Sequence, residues 1–543
     1  MASAFPLRTL RSKSETLYVV LGDQLDRESP ILERIDAKRD AVLMMEVEHE
    51  SRNPASHKQR TAMFLAAMRH HAVWLRDDQG LRVEYVRLDD ADNTQTFGGE
   101  IERAVDRFGA TSVVVVEPGD HRVRGEIEEA CGKATVDLEI LDDTHFLTTP
   151  AEFGEWASGR KQLTMEYFYR EQRRKLGMLM DGKDPVGGEW NYDKDNRETF
   201  KGPPRPTPPP SFEPDDITQE VIDLIEERMP DLPGSMDGFA WPVTREQALE
   251  ALDDFIENRL QRFGKYEDAM WTEQRTLYHA RLSPAVNLHL ISPRECAERA
   301  IEAYEAGDAP LNSVEGFVRQ HIGWREFIRG VYFFEGEGYG DRNELGDDGA
   351  LPEFFWTADT DMACMSDCVG SVVEDAYAHH IPRLMVMGNF AMLAGVEPKQ
   401  VADWYLGMFA DGVDWVTAPN VVGMAMHADG GVVGTKPYAA SGKYIKRMSN
   451  YCDSCSYKVT KRTGEDACPF NTLYWDFLIR HRETFRKNNR MAMILKNVDR
   501  LKDDERVEIT VSARKLRRKL GVTPAGSGLG PAPVKDRSRV PAV

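Results

Sequence analysis

Residues 17–24 read LYVVLGDQ, five apolar residues that end in the turn Gly22-Asp23-Gln24. A β-rich run stopped by a Gly-Asp turn is a strand and its exit. Four more such runs follow, at 42–47, 83–88, 112–116 and 138–141, with amphipathic helical stretches between them. Strands that alternate with helices specify a doubly wound parallel sheet, an α/β domain over residues 1–150. In such a sheet ligands lie outside the carboxyl ends of the strands, which is where Gly22-Asp23-Gln24 falls. The turn lacks a full glycine fingerprint, so no phosphate cradle is read from it.

Beyond this domain, residues 164–180 are helical and basic, with Arg170, Arg173, Arg174 and Lys175, and lead to a glycine turn at Gly187-Gly188. Residues 201–213 read KGPPRPTPPPSFE, a proline-rich stretch that can only be extended. Residues 151–240 are therefore read as interdomain helices and linker. From about Trp241 the pattern has a 3.6-residue period and is rich in Trp, Met and Phe, which predicts a large all-α domain over 241–521. The tail 522–543 is rich in Pro, Gly and Ser and is expected to be disordered. A length of 543 residues accommodates these units and a cofactor as large as a dinucleotide.

The longest apolar runs, at 41–47 and 113–116, are far shorter than the roughly 18 residues a membrane span needs. Residues 1–15 are polar and lack the apolar core of a secretion signal, so a cytoplasmic protein without membrane contact is expected. The formal net charge of −21 opposes indiscriminate binding of nucleic acid. Charge is unevenly spread, however: residues 441–520 contain 20 Lys and Arg against 10 Asp and Glu. That segment is either a basic face on an acidic body or a solvated helix set.

Seven cysteines are too few for a disulfide scaffold, yet five of them lie between Cys364 and Cys468. Cys452, Cys455 and Cys468 supply three thiolates, and Cys364 or Cys368, one helical turn apart, supplies the fourth. Zinc and an iron–sulfur cluster both suit four sulfurs, and thiols that bind no metal are the third reading. Residues 278–294, YHARLSPAVNLHLISPR, hold two Ser-Pro turns, each opening a helix. Ser283 there is either an anion contact at a helix start or a simple cap. The pair His379-His380 is read as lying on one helix, with its rings about 100° apart, so that at least one lines a cavity where it can supply a proton.

The two Ser-Pro turns, the run Gly323-Trp324-Arg325-Glu326-Phe327 and the stretch His379-His380-x-x-Arg383-Leu384-Met385 resemble the flavin-binding helical domain of the cryptochrome/photolyase superfamily. With the spaced cysteines and the run 389–438, the chain resembles the iron–sulfur bacterial cryptochromes and (6-4) photolyases over nearly its whole length. The resemblance implies FAD, a [4Fe-4S] cluster and a 6,7-dimethyl-8-ribityllumazine antenna. It also implies light-driven repair of (6-4) pyrimidine-pyrimidone photoproducts in UV-damaged DNA by a monomeric lyase.

Carried onto this sequence, the resemblance assigns the cluster to Cys364, Cys452, Cys455 and Cys468, and flavin contacts to Tyr266, Arg281, Leu282, Ser283, Gln320, Trp324, Arg383 and Asp411. Trp404, Trp356 and Tyr444 match positions that pass electrons, and His379, His380 and Tyr438 match the lesion pocket. Lys443, Lys446, Arg447, Lys458 and Arg462 are candidates for DNA phosphate contacts beside that pocket. Asp23 and Glu50 match antenna contacts, whereas Met45 and Asn53 replace a Cys and a Tyr of the family, and Thr417 stands where a flavin-proximal Glu is expected. Two other functions share much of this pattern. A blue-light sensor signals without repair, and a zinc-stabilised DNA-binding protein contains no flavin.

Overall fold

A computed structural model describes residues 5–6, 10 and 12–524. All five expected strands form, as β1 (Thr16–Val19), β2 (Ala41–Met45), β3 (Val83–Val86), β4 (Ser112–Val116) and β5 (Asp137–Leu141). They pair in parallel in the order β3-β2-β1-β4-β5. The chain winds outward from β1 through β2 to β3, then returns to place β4 on the other side of β1. This reversal opens a crevice at the carboxyl ends of β1 and β4. Gln24 fixes the turn there, because its Nε2 donates to the carbonyls of Val116 and Glu117, both at 3.1 Å.

The two faces of the sheet have different covers. Leu17, Val19, Leu43, Val113 and Val115 pack on the helices Phe97–Phe108 and His121–Ala134. Tyr18, Val20, Val42, Met44, Val114 and Val116 join a core continuous with the helical half of the chain. A parallel sheet is buried on both faces, which explains why β2 is apolar at every position.

The junction is built on the first turn of the helix Lys58–Asp77. Gln59 is buried, and its amide donates to the carbonyls of Ser235, Asp237 and Glu374 at 3.1, 3.1 and 2.9 Å. Its Oε1 accepts from Trp241 Nε1 at 3.0 Å. One carboxamide thus ties the α/β part to the connecting segment and to the helical part.

The basic stretch forms the helix Met165–Leu176, which stops at Gly177 with φ of 70°. The proline-rich segment has no regular element; Phe212 is buried at its end. The remainder is helical from Arg245–Asn258 to Asp503–Lys519. Three wide π-helical turns interrupt it, at Arg319–Arg325, Pro382–Gly388 and Pro419–Ala425. The first three residues of the tail expected to be disordered are ordered. Val522 is buried, Thr523 accepts from Ala350 N at 2.8 Å, and Pro524 bridges to Gly349. The rest of that tail lies outside the described residues. Among the described residues, no helix is long and apolar enough to cross a membrane.

A buried ion pair anchors the α/β part. The Glu46 carboxylate accepts from Arg69 Nε and Nη2 at 2.7 and 3.0 Å, from Tyr85 Oη at 2.8 Å and from Leu88 N at 2.8 Å, with both charged side chains fully enclosed. Glu46→Gln leaves the buried Arg69 guanidinium with only the more distant Glu220, at 3.5 Å, as countercharge. It is expected to cost about 3 kcal/mol of stability in urea unfolding, and an unchanged midpoint would mean that the pair contributes little.

Candidate active site

The centre of the helical half is a buried carboxylate. Asp411 accepts from Arg383 Nη1 at 2.8 Å and from Ser283 Oγ at 2.5 Å, and its carbonyl accepts from Asn287 Nδ2 at 2.9 Å. The first Ser-Pro turn therefore gives its hydroxyl to Asp411. The second is a cap, with Ser292 and Glu295 exchanging side-chain and backbone hydrogen bonds. Arg383 opens one of the π-helical turns. Its Nε donates to the Ala378 carbonyl at 2.6 Å and its guanidinium lies 4.0 Å from the Phe409 ring centre. Such wide turns recur at functional sites because they displace side chains from the helical register. A second one, at 319–325, presents Gln320 and Trp324.

Leu282 is buried in the turn before Ser283. Arg281 has φ of 59° and places its guanidinium 3.9 Å from the Trp241 ring centre, beside Tyr377. Tyr266 stands in an aromatic stack, 4.4 Å from Phe200 and 5.7 Å from Tyr278. Gln320 donates to the Glu267 carboxylate at 2.9 Å. Neither Glu267, Asn287 nor Phe200 has a local sequence signal.

The histidine pair does not share one helix. Ala376, with φ of 52°, ends the helix Ala363–Asp375, and His379 lies in the irregular stretch before His380 begins the next. The two rings consequently have different environments. His379 is buried, stacks on His279 with centroids 4.1 Å apart, and leaves its Nδ1 without a partner. His380 is accessible, yet it is enclosed deeply enough that lost solvation, then Arg383, lowers its pKa to about 4. His279 is lowered to about 3, first by burial and then by His380. Burial, then His279, His380 and Arg383, hold His379 well below the usual range. Tyr438 is half-buried.

Cys364, Cys452, Cys455 and Cys468 line one small apolar cavity. Cys368 is not among the lining residues, and its thiol lies 3.7 Å from Tyr451 Oη. Gly442 borders the cavity, where a Cβ would come within 2.7 Å of Cys468 Sγ. Burial and then the neighbouring thiols raise Cys364 well above the ordinary thiol pKa, and burial raises Cys452 and Cys468 to about 11. Thiols so crowded ionise readily only around a cation, so the donor set fits a metal cluster. Among the described residues, no three of His, Cys, Asp or Glu converge as ligands of a single metal ion.

A cavity of about 660 Å³ occupies the crevice at the carboxyl ends of β1 and β4. Asp23 and Glu50 line it together with Met45 and Asn53, and Tyr332 and Lys399 close it from the helical half. Burial raises Asp23 to about 7 and raises Glu50, whose carboxylate is 2.7 Å from Arg122 Nη2. The close approach needs Gly119, since a Cβ would sit 2.7 Å from Trp415 Cδ1. Thr417, expected beside the flavin, is on the wall of this cavity.

Trp404 is 1% exposed and donates to the Phe355 carbonyl at 3.1 Å. Its ring centre lies 5.7 Å from Phe409, the ring beneath Arg383, and 5.1 Å from Phe355. Trp356, next in the chain, is 40% exposed. Tyr444 is half-buried beneath Arg447. Lys443, Lys446 and Arg447 are exposed on the helix Gly442–Met448. Lys458 instead pairs with Asp466 at 3.1 Å, and Arg462 pairs with Glu505 and lies 4.3 Å from the Trp475 ring centre.

A parallel sheet joined to a helical half has counterparts among solved structures. A bacterial class III photolyase from Agrobacterium tumefaciens aligns over 82% of this chain and 88% of its own, with a TM-score of 0.52 and 16% identity. A cryptochrome from Synechocystis sp. aligns over 81% and 89%, with a TM-score of 0.51 and 11% identity. The fold is that of photolyases and cryptochromes. Residues 18–241 match the family model described as deoxyribodipyrimidine photo-lyase-related protein. A (6-4) photolyase from Agrobacterium fabrum is 47% identical over 504 residues, covering 93% of this chain and 99% of that protein. The chain belongs to the (6-4) photolyase family.

Proposed function

We propose that this protein is a light-driven DNA-repair lyase that acts on (6-4) photoproducts. The observation that carries the reading is the accessible His380 ring, enclosed beside the buried Arg383–Asp411 pair. The near-full-length likeness to a (6-4) photolyase supports it.

Gln320, Trp324, Ser283, Arg383 and Asp411 would hold FAD, with Tyr266, Arg281 and Leu282 around them. The unpartnered Nδ1 of the buried His379 fits a polar ligand not yet supplied by the chain. Reduced FAD held there would supply the blue-light absorption and the transferable electron that the repair chemistry needs.

The chain's own part is to bind the damaged strand, exclude water and manage one proton. The lesion must leave the base stack to reach the pocket. Lys443, Lys446 and Arg447 take the flanking phosphates, while Lys458 and Arg462 are already paired and contribute less. Arg383 disfavours a positive charge on His379 and His380, and His380 disfavours one on His279. A proton from solvent goes to His380, the exposed ring of the three. Negative charge on a lesion in the pocket raises the affinity of His380 for it, because an opposite charge favours the protonated ring. His379 stays neutral, and Tyr438 forms a wall. Trp404 and Trp356 offer a route for reduction from the surface, with Tyr444 as a second one.

The four cysteines would hold a [4Fe-4S] cluster that joins the loop 452–468 to the distant helix Ala363–Asp375. The interdomain cavity, with Asp23 and Glu50, would take the lumazine antenna. Its raised carboxyls suit a neutral ligand rich in hydrogen-bonding groups.

His380→Ala is expected to abolish restoration of a (6-4) photoproduct oligonucleotide under blue light while flavin absorbance is retained; normal repair would remove His380 from the chemistry. Restoration of no lesion by the wild type, with flavin bound, would favour the blue-light sensor. Cys455→Ser should lower iron and sulfide in freshly purified protein by at least severalfold, and an unchanged iron content would remove Cys455 from the ligand set.

A further inference from the structure

Glu267 lies outside every expected role, yet it holds two parts of the site at once. Its carboxylate accepts from Gln320 Nε2 at 2.9 Å and from Asn196 Nδ2 at 3.2 Å. Its main-chain carbonyl bonds His279 Nε2 at 3.1 Å, and the His279 ring stacks on His379 with centroids 4.1 Å apart and planes 19° apart. Room for the carboxylate depends on Gly316, where a Cβ would come within 2.9 Å of Asn196 Nδ2 and 3.4 Å of Glu267 Oε2.

We infer that Glu267 is a positioning residue that fixes, from one half-buried point, the orientation of the Gln320 amide and the tautomer of His279. A carboxylate only accepts hydrogen bonds, so it obliges Gln320 to present its NH2 group and to keep Oε1 free for the opposite side. A Glu267 protonated on Oε1, the oxygen facing Gln320, would offer its O–H to Gln320 Oε1, and the amide would turn over. What faced away as an acceptor then becomes a donor. The carbonyl works in the same sense on His279. It only accepts, so Nε2 must carry the hydrogen and the neutral ring leaves Nδ1 bare.

The surroundings place this switch within physiological reach. Burial raises the Glu267 pKa to about 7; Arg319 opposes the rise, while Asp193 and Asp268 add to it and the Asn196 amide opposes it. Arg319 is shared, pairing also with Asp193 and with Glu315 at 3.3 Å, so it neutralises Glu267 only in part. His279 is held neutral by burial and by His380, and adds no charge of its own. Below about 7 the acid form predominates and the amide is reversed; above it the carboxylate form holds Gln320 as observed.

The inference rests on the reading that Gln320 faces the flavin, and three variants separate the two. In purified holoprotein labelled with nitrogen-15 in Gln and His side chains, the Gln320 amide signal should move with a midpoint near 7 in the wild type and stay fixed in Glu267→Gln. Gln320→Leu identifies the signal, and His279→Phe identifies the ring nitrogens, of which Nε2 should be protonated. A Gln320 signal that titrates equally in Glu267→Gln, or does not titrate in the wild type, overturns the inference, as does a His279 ring protonated at Nδ1. An unaltered flavin absorption band in Gln320→Leu defeats the flavin reading alone, and leaves the amide titration to decide the role of Glu267.

Discussion

The helical half depends on one buried negative charge. A carboxylate shut away from water is tolerated only with partners that replace its hydration. Asp411 finds them in Ser283, 128 residues away, and in Arg383, 28 residues away. The same guanidinium holds the Ala378 carbonyl, next to His379, and covers Phe409, which touches Trp404. Satisfying this single group therefore brings together the helix after the Ser-Pro turn, the histidine stretch and the aromatic path. None of these contacts forms within one secondary-structure element, so the pocket exists only once the helices have docked.

The sheet was legible because its signal is local. Alternation of β-rich runs with amphipathic helices located all five strands to within two residues at each end. The site was legible only where a residue type is unusual in itself, as with the spaced cysteines and the adjacent histidines. Two Ser-Pro turns look alike in sequence, yet one is a cap and the other serves Asp411, a difference decided 128 residues downstream. His379-His380 reads as helical, but Ala376 adopts a left-handed conformation that breaks the helix and gives each ring a separate environment. Charge counting also fails here, since Lys458 and Arg462 are committed to Asp466 and Glu505 by tertiary pairing. Glu267 and Asn196 had no signal because their role comes entirely from where the chain returns.

Division of labour between the two halves follows from the alternation of side chains along β1 and β4. One face of the sheet is covered by its own helices, and the other needs the helical half to be buried. Gln59 then makes the docking specific. Its carboxamide satisfies three carbonyls from two separate segments, and Trp241, its fourth partner, is the ring on which Arg281 lies.

The crevice between the halves draws its walls from both of them. A molecule lodged there loses its contacts with one wall as soon as the halves separate, so its binding free energy is added to the strength of the seam. At a concentration 100 times its dissociation constant, that addition is about 2.7 kcal/mol. An occupant held for its absorbance would thus also raise the melting temperature, and exhaustive dialysis would soften the joint as it drained the chamber.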